Sequence, residues 1–384
     1  MENAPLDVEA AVRERYSAAS AAREATLCCP IDYDPRYLAA IPEAVLERDY
    51  GCGDPSRYVR EGDVVLDLGS GGGKICFIAA QLVGPTGRVI GVDMNEDMLG
   101  LARENAPVVA ERIGWDNVVF RRGRIQDLAL DMDALDGWLA EHPVRGAKDL
   151  AALDEAQDHL RRTAPLVADA SVDVVVSNCV LNLVKDAHKR QLVQEIFRVL
   201  KVGGRIAISD IVSDEVVPDA LRNDPELWSG CISGAFQEQE LLRILEEVGF
   251  HAVRIDKWQA EPWQVVQGIA FRSVTVTAEK GKQGACWDAN QAVIYAGPWK
   301  QVEDDDGHVL RRGERVAVCK KTFRILTGAA YADAVIVIEP LVPVPEDARL
   351  PFDCARTVPR HPRETKGMDY DLTTDGACTT PGCC

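Results

Sequence analysis

The stretch Val64-Val65-Leu66-Asp67-Leu68-Gly69-Ser70-Gly71-Gly72-Gly73 decides the fold prediction. It opens with a short apolar run of the kind that forms a buried strand, and its glycines predict a tight turn. The pattern of Lys74–Val83 then predicts a helix. Glycines in a turn between strand and helix let a ligand approach the backbone at the carboxyl end of the strand.

Short apolar runs continue to alternate with helical patterns over residues 62–210. Such alternation predicts an α/β fold, a doubly wound parallel sheet that is covered on both faces. The predicted strands after the first are 88–92, 118–120, 172–177 and 205–209, and the predicted helices include 96–102 and 189–200, the latter ending at Gly203-Gly204.

Changes in composition divide the chain into five segments. We predict an N-terminal helical segment at 1–54, the α/β domain at 55–212, a further segment at 213–277, a β-rich domain at 278–340 and a flexible Cys-ended tail at 341–384. The α/β domain carries a helical insertion at 129–170, which is either a lid or a solvated excursion. The β-rich prediction rests on Ala292–Tyr295 and Val316–Val318, which flank the turn signal Asp306-Gly307.

Charge and hydropathy exclude several classes of partner. The 384 residues contain 43 Lys and Arg against 61 Asp and Glu, a net charge of −18, which argues against nucleic acids and anionic membrane surfaces. We find neither a signal-peptide pattern nor an apolar run near the ~18 residues of a membrane span. The sequence therefore predicts a cytoplasmic protein, and we expect a monomer.

Two acidic residues limit which class of ligand can bind at the glycine turn. Asp93 ends the next predicted strand, where a carboxylate can accept both hydroxyls of a ribose. Asp67 precedes Gly69 by two residues, and a buried carboxylate there would repel a pyrophosphate but suit an amine or a sulfonium. A dinucleotide-binding motif would also need glycine at Lys74. Asp127 follows the third strand and either flanks an adenine or caps a helix.

The cysteines are unusually many for a reducing compartment, where structural disulfides are rare. There are twelve, without any Cys-x-x-Cys, and only six His, which rules out a zinc finger as a sequence assignment. Single thiols in different loops can instead converge on one soft ion. The candidates are Cys179 at the end of the fourth strand, Cys231 in a loop after the sheet, Cys52 before the first strand, and the vicinal pair Cys28 and Cys29.

Five ordered motifs, YGCG, DLGSGGG, GVDM, SNCVLNL and WSGCISGA, together resemble the arsenite S-adenosylmethionine methyltransferase family. The resemblance covers about residues 28–340 and implies a Rossmann-like class I methyltransferase fold. It implies that Cys179 and Cys231 hold trivalent arsenic, As(III), and that Cys52 is a third ligand that then forms a disulfide with Cys28 or Cys29. It also implies cofactor contacts at Tyr50, Asp67, Gly69, Ser70, Gly71, Asp93, Met94, Ile125, Gln126 and Asn178.

The implied activity is methylation of arsenite and then methylarsenite by S-adenosylmethionine, with thioredoxin or glutathione as thiol reductant. Two alternatives remain open: a methyltransferase for selenium, tellurium or an organic thiol, and a non-catalytic thiol-based metalloid carrier or sensor. We expect Cys76 to be a core residue, and Cys286, Cys319 and Cys354 to be structural or incidental. The Cys-ended tail, with Cys378, Cys383 and Cys384, either collects arsenite or is simply disordered.

Overall fold

The computed structural model describes residues 7–21, 24, 31, 33–48 and 50–373. Cys28, Cys29 and the three cysteines predicted at the end of the tail lie outside these residues. The chain divides into two compact units, residues 1–280 and 281–384. Among the described residues, no helix is both long and apolar enough to cross a membrane.

A nine-stranded sheet forms the first unit, in the order β3-β2-β1-β4-β5-β9-β7, with β6 beside β5 and β8 beside β9. The first five strands of this order are parallel, and β9 pairs antiparallel with both β5 and β7, so β9 runs opposite to the other six strands of this order. The sheet is therefore mixed rather than wholly parallel as predicted. The strands are β1 (Val64–Leu68), β2 (Arg88–Asp93), β3 (Val118–Arg122), β4 (Val172–Asn178), β5 (Leu200–Ser213), β6 (Phe236–Gln237), β7 (His251–Trp258), β8 (Gln264–Val266) and β9 (Ile269–Glu279).

Helices cover both faces of this sheet, as the alternating sequence pattern predicts. They are α1 (Val8–Ala21), α2 (Pro35–Leu38), α3 (Glu43–Leu46), α4 (Lys74–Val83), α5 (Glu96–Ile113), α6 (Met132–Glu141), α7 (Ala147–Thr163), α8 (Asp186–Val199), α9 (Asp219–Arg222), α10 (Pro225–Ser229) and α11 (Glu238–Val248). The helices α6 and α7 form the predicted insertion.

Alternate residues of the central strands explain the two covered faces. Val65 packs into a cluster with Phe77 and Leu99, on the side of α4 and α5. Its neighbour Leu66 packs into a second cluster with Leu192, on the side of α8. Because successive side chains of a strand point to opposite faces, consecutive apolar residues such as Val65 and Leu66 are needed to bury both faces.

Gly203 and Gly204 lie inside β5 rather than at a helix end. The preceding helix α8 ends at Val199, and β5 begins at once with Leu200. Gly203 has φ 88° and its N–H donates to the carbonyl of Lys280 at 2.6 Å. The two glycines predict the end of a helix because glycine readily adopts a positive φ. In the structure, the positive φ of Gly203 occurs instead at an irregularity near the start of β5.

The second unit is rich in strands, as predicted, but the strands joined by its Asp306-Gly307 turn are not the predicted ones. Its elements are β10 (Trp287–Asp288), β11 (Ala292–Tyr295), β12 (Gln301–Glu303), β13 (Val309–Arg311), β14 (Arg315–Ala317), α12 (Lys320–Leu326), β15 (Val335–Ile338), β16 (Leu350–Pro351), β17 (Val358–Pro359) and α13 (Pro362–Lys366). The turn Asp306-Gly307 joins β12 to β13, which pair antiparallel. The predicted partners β11 and β14 also pair, but with this hairpin between them in the chain.

The prediction of a flexible tail from residue 341 is wrong for the part of the tail that the structure describes. β16 pairs with β10, and β17 pairs with β14. The buried Arg360 guanidinium contacts the carboxylates of Asp288 and Glu364, at 2.7 and 2.6 Å. Proline and arginine suggested disorder, yet here they supply short edge strands and buried ion pairs.

Candidate active site

The glycine turn between β1 and α4 has the conformation that its sequence predicts. Gly69, Gly71 and Gly73 have φ values of 68°, 50° and 91°, in the left-handed region that favours glycine. A Cβ on Gly69 would lie 2.3 Å from a Val180 methyl, whereas one on Gly71 would meet nothing within 4 Å. Gly69 is therefore needed for packing, while Gly71 borders open space.

A cavity adjoins this turn at the carboxyl ends of β1, β2 and β4. All ten residues for which the sequence predicts cofactor contacts line it: Tyr50, Asp67, Gly69, Ser70, Gly71, Asp93, Met94, Ile125, Gln126 and Asn178. Cys179 lines the same cavity. The structure thus brings one candidate thiol and the predicted cofactor residues to one place, and contact with a cofactor stays a prediction.

Asp93 is held in place by the glycine turn itself. Its two carboxylate oxygens accept hydrogen bonds from the backbone N–H groups of Gly71 and Asn95, at 2.9 and 2.8 Å. Burial raises the pKa of Asp93, although these hydrogen bonds act in the opposite direction. A carboxylate fixed by two backbone donors is well placed to accept hydroxyl groups from a ligand.

Asp67 has a thiol partner. Cys76 of α4 is fully buried and donates its S–H to the Asp67 carboxylate at 3.2 Å. Burial and the negative charge of Asp67 raise the pKa of the Cys76 thiol well above its ordinary value. Cys76 is therefore a core residue, as predicted, and remains a neutral donor to Asp67.

Helix α1 also lines the cavity, which the sequence reasoning did not anticipate. Glu9, Val12, Arg13 and Tyr16 form its contribution. The Tyr16 ring packs edge-on against Tyr50, with 6.2 Å between centroids, and burial raises the pKa of the Tyr16 hydroxyl. These four residues follow an i, i+3, i+4, i+7 pattern, which places them on one face of the helix. The pattern does not indicate that this face lines a cavity.

Three of the candidate cysteines converge around Cys179, which lines the cavity. Cys52, Cys179 and Cys231 share one buried cluster and are 7%, 8% and 5% exposed. Cys52 and Cys179 form a disulfide with their Cα atoms 5.8 Å apart. The Cys231 thiol donates to the Cys179 carbonyl at 3.3 Å. The structure thus places thiols from three separate segments side by side.

The disulfide corrects the predicted pairing of Cys52 with Cys28 or Cys29. Asn178, which immediately precedes Cys179, holds the backbone of Cys52: its Oδ1 accepts from the N–H groups of Cys52 and Gly53, at 2.9 and 3.1 Å. Its Nδ2 donates to the Gly53 carbonyl at 2.8 Å. Because this contact fixes Cys52 next to the end of β4, the Cys179 sulfur lies within reach.

The backbone is strained at two of these cysteines. Cys179 and Cys231 have φ values of 58° and 62°, in the left-handed region that non-glycine residues rarely adopt. Each such residue costs on the order of 1–3 kcal/mol, and such strain is concentrated at functional sites. The Cys179 N–H donates to the Ser209 carbonyl at 2.8 Å, which holds the strained residue in place.

Asp210 is a site residue that the sequence reasoning missed. A carboxylate oxygen of Asp210 and the sulfurs of Cys52 and Cys179 all lie within 4.8 Å of one another. Burial raises the pKa of Asp210 to about 7, although backbone N–H groups including those of Ile211 and Leu181 donate to it. The predicted strand ended at Ser209, one residue short of Asp210. Asp210 could have been recognised as a site residue only if β5 had been predicted at its full length, Leu200–Ser213.

A buried lysine positions the Cys231 loop. Lys189 of α8 donates to the Gly234 carbonyl at 2.7 Å and pairs with Asp186 at 2.6 Å. Burial lowers the pKa of Lys189 to about 8. Gly234 itself lies so close to the Asn182 carbonyl that a Cβ would be 2.0 Å from the oxygen. These contacts fix the loop that carries Cys231.

Comparison with known proteins agrees with this fold. A family model described as a methyltransferase domain matches residues 60–164 and 154–249, and a model for a domain of unknown function matches residues 282–370. The fold and the cavity define the first unit as a class I methyltransferase that uses S-adenosylmethionine as methyl donor.

The relatives identify the family. The arsenite methyltransferase of Aquipseudomonas alcaligenes is 33% identical over 324 residues, which are 79% of this chain and 82% of that protein. The mouse arsenite methyltransferase is 31% identical, covering 83% of this chain and 77% of that protein. The crystal structure of an arsenic(III) S-adenosylmethionine methyltransferase from Chlamydomonas reinhardtii superposes with a TM-score of 0.55 at 27% identity, over 85% of this chain and 100% of that one. The chain belongs to the arsenite methyltransferase family.

Proposed function

We propose that this protein methylates trivalent arsenic, first arsenite and then methylarsenite, with the arsenic held by Cys52, Cys179 and Cys231. The observation that carries the proposal is the position of Cys179, which lines the cavity of the predicted cofactor residues and belongs to the buried cluster of three cysteines. The names of the relatives support arsenic as the element methylated.

The cavity fits S-adenosylmethionine. Asp93 offers carboxylate oxygens fixed by Gly71 and Asn95 for ribose hydroxyls, and the space beside Gly71 is open. Ser70 has a buried hydroxyl oxygen without a hydrogen-bond partner among the described residues. When bound, S-adenosylmethionine supplies a methyl group on a sulfonium. Asp67 and Asp93 contribute carboxylates to a cavity that receives a cation.

The three thiols select and orient the substrate. Arsenite is a trihydroxide, and exchange of its three hydroxyls for three thiols forms three As–S bonds and releases three waters. Soft thiolate ligands favour arsenic over hard cations. The arsenic lone pair then points away from the sulfurs and needs no general base, so the work of the protein is alignment. Cys179 lines the cavity, and the Cys231 thiol donates a hydrogen bond to the Cys179 carbonyl, which keeps these two candidate ligands together.

The redox balance requires a thiol reductant. Transfer of a methyl cation formally oxidises arsenic from the trivalent to the pentavalent state. Two thiols that join in one disulfide return two electrons and restore the trivalent state, and the Cys52–Cys179 disulfide is such an oxidised pair. An external dithiol such as thioredoxin, or two molecules of glutathione, then reopens it by exchange. Without this step the site keeps only one free sulfur, that of Cys231.

The test is an assay with the full chain, arsenite, S-adenosylmethionine and thioredoxin, followed by chromatographic speciation of arsenic. We expect methylated arsenic from the wild type and from Cys354→Ser, a matched control in the second unit, and none from Cys231→Ser. If the wild type produces no methylated arsenic with any thiol reductant but still binds arsenite, the protein is a carrier. Methylation of selenite or tellurite in place of arsenite would instead indicate a different soft substrate.

A further inference from the structure

A second group of three cysteines lies in residues 281–373. The sulfurs of Cys286, Cys319 and Cys354 all lie within 4.8 Å of one another. The sequence predicts only structural or incidental thiols here. All three fall within residues 282–370, the segment that matches a domain of unknown function.

Backbone pairing brings two of these cysteines together. Cys286 directly precedes β10, and Trp287 of β10 is opposite Pro351 of β16. The Phe352 N–H donates to the Cys286 carbonyl at 2.9 Å. This pairing places the turn that contains Cys354 beside Cys286, so both thiols depend on the segment that was predicted to be a flexible tail.

Helix α12 supplies the third thiol. Cys319 immediately precedes this helix, and its sulfur accepts a hydrogen bond from the Thr322 N–H at 3.3 Å. Two side chains of the same helix tie down the chain before Cys286: Lys321 donates to the Gly284 carbonyl at 3.3 Å, and Arg324 donates to the Gly281 carbonyl at 3.0 Å. The group is therefore held by three separate elements.

The three thiols are not equivalent. Cys319 is fully buried, and Cys286 and Cys354 are partly exposed, so the group is open on one side. Burial opposes ionisation of Cys319, but hydrogen bonds from Thr322 and from the other two thiols outweigh it and lower the pKa of Cys319. Burial and the two neighbouring sulfurs raise the pKa of Cys354. A soluble ion can therefore reach the three sulfurs from the side of Cys286 and Cys354.

The number of donors favours a three-coordinate ion. Among the described residues, no fourth Cys, His, Asp or Glu joins this group. A structural zinc site has four protein ligands, and magnesium or calcium prefers oxygen. Trivalent arsenic instead takes three thiolates and keeps a lone pair.

We propose that Cys286, Cys319 and Cys354 form a second, non-catalytic binding site for trivalent arsenic. Binding exchanges the three hydroxyls of arsenite for three sulfurs with release of three waters, and no electrons are transferred. The site is non-catalytic because the residues that line the cofactor cavity all belong to the first unit. The choice of arsenic among trivalent soft ions rests on the proposed function. The proposal that these three thiols bind a soft ion rests on their positions alone.

The test uses the full chain with the competing cysteines removed. In this background variant, Cys28, Cys29, Cys52, Cys179, Cys231, Cys378, Cys383 and Cys384 are changed to Ser, and Cys76 is kept. The reduced protein is incubated with arsenite, desalted, and analysed for arsenic by mass spectrometry and for As–S neighbours by X-ray absorption. We expect about one arsenic per chain with three sulfur neighbours.

Further substitutions in the background variant assign the site. Cys319→Ser should remove the bound arsenic, and Cys286→Ser, which changes a partly exposed thiol, should weaken binding at least about tenfold. Cys76→Ser should keep the full stoichiometry, because its thiol is buried against Asp67 in the first unit. Circular dichroism shows whether each variant is folded. A folded background variant that binds no arsenic overturns the proposal, and one that binds zinc but not arsenic overturns the proposed occupant.

A separate assay distinguishes this site from the proposed function. In the otherwise wild-type chain, Cys286→Ser, Cys319→Ser and Cys354→Ser together should leave arsenite methylation within about twofold of the wild type. Loss of methylation in this folded triple variant would contradict a non-catalytic role. Absence of methylation by the wild type, with one arsenic still bound by the background variant, would overturn the proposed function alone.

Discussion

Asn178 Oδ1 accepts a hydrogen bond from the backbone N–H of Cys52 at 2.9 Å, across 126 residues of chain. The same side chain donates to the Gly53 carbonyl and to the Tyr33 hydroxyl, at 2.8 and 3.1 Å. The end of β4 therefore carries both a candidate arsenic ligand, Cys179, and the amide that positions another. This contact couples the geometry of the candidate arsenic site to the wall of the cavity of predicted cofactor residues, which Asn178 also lines.

Loss of the Asn178 amide should release Cys52. We expect Asn178→Ala to lower kcat/KM for arsenite at least about fivefold, since a lost hydrogen bond to a buried group costs about 1–3 kcal/mol. Tyr33→Phe removes only the Tyr33 hydroxyl from this arrangement and should change kcat/KM less than about threefold. Initial rates of methylation with thioredoxin measure both. Equal rates for Asn178→Ala and the wild type would show that the Cys52 backbone does not depend on this amide.

The candidate arsenic site was predictable from sequence only as a set of thiols. Cys52, Cys179 and Cys231 stood out because each lies next to a motif, and the structure gathers all three. The disulfide partner of Cys52 was predicted wrongly because pairing depends on Asn178, a contact between residues distant in the chain. Asp210 escaped notice because apolar periodicity does not reveal that β5 continues past Ser209.

Other differences have equally specific physical causes. The strand, turn and helix of Val64–Val83 were predictable because the apolar runs and the glycine turn agree there. The described part of the C-terminal segment is polar and rich in proline, and its order depends on pairing with β10 and β14, which lie earlier in the chain. The sequence of the segment itself does not indicate pairing with strands that lie so far away in the chain.

Gly234→Ala should displace the loop that carries Cys231. The new methyl would lie 2.0 Å from the Asn182 carbonyl oxygen, which is backbone and cannot turn away. We expect a stability loss of about 1–3 kcal/mol and a marked fall in arsenite affinity. Gly137→Ala is the matched control, because its methyl would meet nothing within 4 Å. Urea unfolding and arsenite titration by tryptophan fluorescence provide the measurements, and unchanged arsenite affinity in Gly234→Ala would contradict the role of the loop.

The three candidate ligands should differ in the methylation step that needs them. Methylarsenite has one carbon substituent and two exchangeable hydroxyls, so two thiolates hold it, whereas arsenite engages three. We expect Cys179→Ser and Cys231→Ser each to abolish methylation of methylarsenite, and Cys52→Ser to lose mainly the first methylation. Separate assays with arsenite and with methylarsenite measure this. Full activity of Cys179→Ser on arsenite would reject the assignment.

Asp210 should make stability depend on pH. Its pKa of about 7 in the folded protein lies above the ordinary value near 4, so between these limits the folded state keeps a proton that the unfolded state releases. The free energy of unfolding should therefore fall as pH rises through this window, by at most about 1.4 kcal/mol per pH unit, and level off above about pH 7. Asp210→Asn cannot ionise at this position. The difference in the free energy of unfolding between wild type and variant should therefore change with pH by the same slope. Urea unfolding curves between about pH 4 and 8 measure it. Parallel pH dependences in the two proteins would show that Asp210 titrates normally and that its carboxylate is charged beside Cys52 and Cys179 at neutral pH.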